Sequence, residues 1–99
     1  MNQRLAELLF AVGGETEEYM ESILVELLQA RVRHPDWPSD PVHASAIIGE
    51  ESGELTQAAL DFYYRGEGTA RMMEECIQVG AMALRFLMHL GEYRQKAKG

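Results

Sequence analysis

The segment from Thr69 to Tyr93, TARMMEECIQVGAMALRFLMHLGEY, carries apolar residues around nearly its whole circumference when wound as a helix. Ile77, Leu84, Met73, Met88 and Leu87 cover one side, and Val79, Phe86, Met72 and Leu90 cover the other. Glu74, Arg85, Gln78, His89 and Glu75 share one narrow polar stripe. A helix of this kind belongs at the centre of its fold, with partners on more than one side. A chain of 99 residues offers it few partners, and small domains bury a smaller fraction of their surface than large ones. An unpartnered apolar face is rare on a soluble monomer. The expectation is therefore a homodimer at least, with side chains of the second and fourth helices at the interface.

The rest of the chain supplies the partner helices. Gly13-Gly14 ends a short first helix beginning near Asn2. Thr16 is placed to cap a second, with Glu17 and Glu18 at its positive end and Tyr19, Ile23, Leu27 and Ala30 recurring at helical spacing. HPDWPSDP packs all 3 prolines of the chain into one short stretch and must break that helix. Asp40-Pro41 is an N-cap and first-turn pair for a third helix running to about Arg65. Gly66-Glu67-Gly68 forms a turn, and Thr69 opens the fourth helix, expected to reach Tyr93. Sustained alternation, the signature of strands, is absent. The reading is one all-α domain over residues 1–99, an antiparallel helical bundle of three long helices plus a short N-terminal helix.

Sixteen acidic and nine basic residues leave a net charge of -7. That balance argues against nucleic acid and against anionic membrane surfaces, both of which need a positive footprint. Arg94, Lys96 and Lys98 crowd the tail and read as solvated, as do Arg65 and Arg71. The single cysteine, Cys76, excludes an intramolecular disulfide and a cysteine zinc cluster. It falls on an apolar side without a histidine base, which makes a poor nucleophile. The apolar run at the start is short for a signal peptide, and no stretch approaches the roughly 20 residues of a membrane span. A cytoplasmic protein is expected.

Against this background the stretch EESGEL, Glu50 to Leu55, is out of place. Like charges three or four apart on a helix repel by roughly 0.2–0.5 kcal/mol per pair, and an interior glycine costs about 1 kcal/mol relative to alanine. On the helical wheel Glu51 falls in the middle of the apolar stripe formed by Ile47, Ala58, Phe62, Leu55 and Ile48, and Glu54 falls on its edge. Folding the third and fourth helices back on each other brings Glu51, Glu54, Glu75 and Gln78 to within about a turn of one level. Carboxylates so placed must be protonated, paired with arginines, or holding a metal. Oxygen-only ligation selects a hard cation, Mg²⁺ or Mn²⁺. Gly53 is then expected to let a neighbouring helix or a ligand approach closely.

EESGELTQAAL followed by EECIQVGAMALRFL resembles the MazG-like, all-α nucleoside triphosphate pyrophosphatases. Their signature is E-x-x-E on one helix and E-x-x-D on the next, and the likeness spans roughly Trp37 to Leu90. The resemblance implies a MazG-like bundle, a homodimer or a tetramer of dimers, and Mg²⁺-dependent cleavage of a nucleoside triphosphate to the monophosphate and pyrophosphate. Glu51, Glu54 and Glu75 match the metal-binding acids. Gln78 stands where the family usually has aspartate; its amide oxygen can ligate, but it brings no charge and cannot act as a base. Glu50 or Glu74 is a candidate to orient the attacking water. Trp37 is placed to stack on a base or to cap the bundle, and Arg85 to meet a phosphate oxygen or to neutralise a carboxylate. His34, His43 and His89 lack the E-x-x-H spacing of a di-iron bundle. The alternative is a non-catalytic helical module with a degenerate metal site, which Gln78 favours.

Overall fold

Helix ends are set by local chemistry. In the computed structural model, which describes residues 2–97, Asn2 caps α1 (Gln3–Val12), its side-chain oxygen accepting from the Leu5 amide at 2.6 Å. The left-handed Gly13 and Gly14 end it. The longest helix, α3 (Pro41–Arg65), begins where Asp40 Oδ1 accepts from the Val42 amide at 2.8 Å and Pro41 fills the first helical turn. It ends at Gly66, whose φ of 71° is a left-handed conformation that glycine adopts without strain. Between them lies α2 (Thr16–Arg33), and α4 (Ala70–Met88) is followed by a 3-10 turn at Leu90–Glu92. The described residues contain no strand. No helix among them is long and apolar enough to cross a membrane. Lys98, expected to be solvated, lies outside the described residues.

Two boundaries differ from expectation. Thr16 is the first helical residue of α2 rather than its cap; its hydroxyl instead donates back to the Gly13 carbonyl at 2.6 Å. The fourth helix stops at Met88, short of Tyr93, because the following segment is drawn onto the 34–40 loop. The Tyr93 hydroxyl accepts from Trp37 Nε1 at 3.0 Å and donates to the Phe86 carbonyl at 2.9 Å. Arg94 donates its backbone N–H and its side-chain Nε–H to Ser39. These bonds offset the helical turn that is lost.

The central position of α4 follows from its composition. It packs against both α2 and α3, which make no close backbone approach to each other. Leu27 and Ala30 of α2 meet Ala81 and Met82 of α4, with Ile23, Trp37, Ile47 and Ile48 packed around them. The closest approach is at Gly80, where a β-carbon would lie 2.9 Å from Ile23 Cδ1. Gly80, rather than Gly53, therefore admits a neighbouring helix; a β-carbon at Gly53 would meet nothing within 4 Å. Cys76 is exposed rather than packed on an apolar side. A buried polar knot closes the α3–α4 hairpin: Asp61 accepts from Arg71 Nη1 at 3.0 Å and from Gln57 Nε2 at 3.1 Å.

One chain leaves much apolar surface open. Its accessible area is 7611 Å², about 1,900 Å² more than the roughly 5,700 Å² expected for a globular monomer of 11.2 kDa. Its radius of gyration is 16.1 Å, against about 13 Å for a compact domain of this length. Leu24, Leu28 and Val32 form an exposed row along α2, and Met73, Leu87 and Met88 are exposed on α4. The first helix packs only on α2 and buries none of its residues.

Candidate metal centre

Antiparallel pairing of α3 with α4 sets Glu51 and Glu54, one turn apart on α3, against Glu75 on α4. One carboxylate oxygen from each lies within 4.8 Å of the others. Glu51 and Glu75 are half-buried, and each has one oxygen, Oε2, that is closed to solvent and without a hydrogen-bond partner. Among the described residues no basic side chain lies within ion-pairing distance of any of the three. Of the three ways such a cluster is tolerated, the one by ion pairing is thus not used among the described residues.

The electrostatics follow from this geometry. Burial raises the Glu51 pKa above its ordinary value, and the charges of Glu54, Glu75 and, more weakly, Glu26 raise it further. Burial likewise raises Glu75, reinforced by Glu54 and Glu74, while the Arg71 guanidinium pulls in the opposite direction. The cluster therefore favours either a retained proton or a bound cation. Oxygen ligands alone, with two carboxylate oxygens lacking a donor, fit a hard divalent ion such as Mg²⁺ or Mn²⁺. Sequence reasoning passed over Glu26, which projects from α2 beside Gln78 and Glu51 and is held by Arg33 at 2.7 Å. Its spacing from Ile23 and Ala30 on the inner face of α2 was the available signal. Arg71, read as solvated, is half-exposed but bound to Asp61, one turn before Glu75.

A groove of about 650 Å³ lies between α2, α3, α4 and the 34–40 loop; Glu51 of the cluster lines it, and Glu54 and Glu75 do not. Glu26, Glu51 and Gln78 line one end, with Glu50 at its exposed margin; His34, Trp37 and Arg85 line the other. Glu74 lies outside the groove, in a separate depression with Glu21 and Glu26. Neither Glu50 nor Glu74 joins the three converging carboxylates. Arg85 is almost wholly buried, at 3% exposure. Its Nη2 donates to the His34 carbonyl at 2.7 Å, and its guanidinium lies 4.9 Å from the centre of the Trp37 ring. The expectation that it neutralises a carboxylate fails: it forms no ion pair among the described residues. The 34–40 loop brings it a carbonyl and an indole instead. Trp37 also stacks on His89 at 5.9 Å, one turn beyond Arg85, so the indole lies along α4.

Comparison with protein-family models finds none that matches the chain, and comparisons with curated proteins and with solved structures find no match either.

The raised pKa values of Glu51 and Glu75 carry a prediction for the metal-free protein. The folded state retains protons that the unfolded chain releases above the ordinary glutamate value of 4.5. Between that value and the raised ones, stability accordingly rises as the pH falls, and it is lowest once both groups are ionised. Urea melts in EDTA are expected to show the midpoint falling as pH is raised through this window. Glu51→Gln should flatten the profile and raise the midpoint at neutral pH. Superimposable profiles for the two proteins would show that the carboxylates do not repel.

Proposed function

We propose that this chain is a MazG-like, Mg²⁺-dependent nucleoside triphosphate pyrophosphohydrolase that acts as a homodimer in the cytoplasm. The observation that carries the reading is the convergence of Glu51, Glu54 and Glu75 oxygens within 4.8 Å, with no basic partner among the described residues, beside a nucleotide-sized groove that Glu51 lines. These three residues hold the cation, and the Gln78 amide oxygen fills a weaker position. A divalent ion so bound neutralises charge on phosphate oxygens and acidifies a water. Glu50, exposed at the groove margin, and Glu74 on the α2 side of α4 carry the carboxylates available to orient that water. Arg85 and Trp37, which line the other end of the groove, contact the remainder of the substrate. Nucleic acid and membranes are not partners in this reading, given the net charge of -7.

A second reading is favoured by Gln78. Without an aspartate there the chain is a non-catalytic helical module whose acidic cluster persists as a degenerate site. A screen of purified protein against common and deoxynucleoside triphosphates, with Mg²⁺ or Mn²⁺, separates the two. The enzyme releases pyrophosphate and loses at least about 100-fold in rate as Glu54→Gln, a loss typical for a preorganised electrostatic group. Turnover appearing only in Gln78→Asp would identify the degenerate module. No pyrophosphate from any variant would overturn the enzyme reading.

The dimer is supported by area. The surplus of about 1,900 Å² per chain, together with the exposed apolar rows on α2 and α4, is what an obligate interface buries. Sedimentation equilibrium is expected to return twice the chain mass or more across the micromolar range. A stable folded species of 11.2 kDa would contradict it.

A further inference from the structure

Arg85 combines burial with an unbalanced charge. It is 3% exposed, and a guanidinium stays protonated at any physiological pH. The His34 carbonyl takes one of its donors, and Trp37 offers the face of its ring, but neither cancels a unit charge. Its Nε–H has no acceptor among the described residues. Asp36, the acid at this end of the groove, is exposed and not paired with it. Arg33, also lining the groove, is taken by Glu26. The charge that Arg85 does feel is Arg31, which with burial pushes its pKa down. An unpaired ion held out of water is destabilising, and an arriving anion offsets part of that penalty.

We propose that the end of the groove at Arg85 is an anion subsite, separate from the carboxylate cluster, that takes a phosphate or carboxylate group of the ligand. Gln78, Met82 and Arg85 lie on successive turns of α4 along the groove wall. Ten residues of helix separate Arg85 from Glu75, about 15 Å along the axis, too far for one phosphate to meet both. The ligand is therefore anionic at two places, one held through the cation and one held directly by the guanidinium fork. The subsite stands on the geometry of Arg85; its use by a nucleotide substrate rests on the function proposed above.

The chain's single tryptophan contacts Arg85 and reports on it. In EDTA and at constant ionic strength, titration of the full chain with inorganic phosphate or with acetate is expected to change Trp37 fluorescence saturably. The arm that saturates at lower concentration names the oxyanion. Calorimetry on Arg85→Lys should show binding weaker by roughly tenfold, the loss of one charge-assisted contact, and Arg85→Met should abolish it. If Arg85→Met does not fold, the lysine variant alone carries the comparison. No saturable change with either anion would overturn the proposal, the expected result if a carboxylate of a second copy already occupies Arg85. Binding undiminished in Arg85→Lys would overturn it equally. Since neither metal nor hydrolysis enters, an inactive protein that passes this test refutes the enzyme reading alone.

Discussion

Three carboxylates that repel one another are held together by helices whose packing is decided elsewhere. Ala81, Met82, Leu27 and Ala30 lock α4 to α2, and Asp61 with Arg71 and Gln57 closes the α3–α4 hairpin. Those contacts fix the register of Glu51, Glu54 and Glu75 regardless of what the acids themselves prefer. Local instability of this kind, compensated by surrounding structure, is where binding sites are found in folded chains. Raised pKa values at Glu51 and Glu75 are the electrostatic expression of the same constraint.

The groove inherits its shape from the central position of α4. Because α2 and α3 both pack on α4 and their backbones do not approach each other closely, a channel stays open between them, and the 34–40 loop closes its far end. That loop is tied down by Trp37, Ser39 and the Arg85 bond to the His34 carbonyl. The resulting channel is acidic where α2 presents Glu26 and α3 presents Glu50 and Glu51, and it carries the buried Arg85 guanidinium at the loop. The same arrangement leaves the outer rows of α2 and α4 bare, which links the groove to the proposed second chain: both follow from a helix too apolar for its own domain to cover.

Much of the architecture was legible in the sequence because it is encoded locally. Asp40-Pro41 and Gly66 mark the ends of α3 through cap chemistry that needs no tertiary context. Helical periodicity and a three-residue turn suffice to bring Glu51, Glu54 and Glu75 together. What escaped depends on non-local placement. Glu26 enters the groove where α2 crosses α4 at Gly80 and Ile23 needs the missing side chain; its spacing from Ile23 and Ala30 marks the inner face of α2, but not the acids it meets there. Arg85 was expected to find a carboxylate, but its partners come from a loop some fifty positions away. The early end of α4 likewise reflects Tyr93 and Arg94 bonding to that loop rather than any breaker in the segment itself.

The central claim is that the glutamate cluster is a cation site, and metal binding tests it without reference to catalysis. Titration of the metal-free protein with Mn²⁺ near neutral pH, followed by calorimetry and by loss of the free-ion EPR signal, is the direct measurement. The account predicts saturable binding of about one ion per chain with release of protons from the cluster. Glu75→Gln should weaken it by at least the roughly 10-fold that loss of an outer-shell partner costs. No saturable binding, or binding that survives Glu75→Gln unchanged, would contradict it.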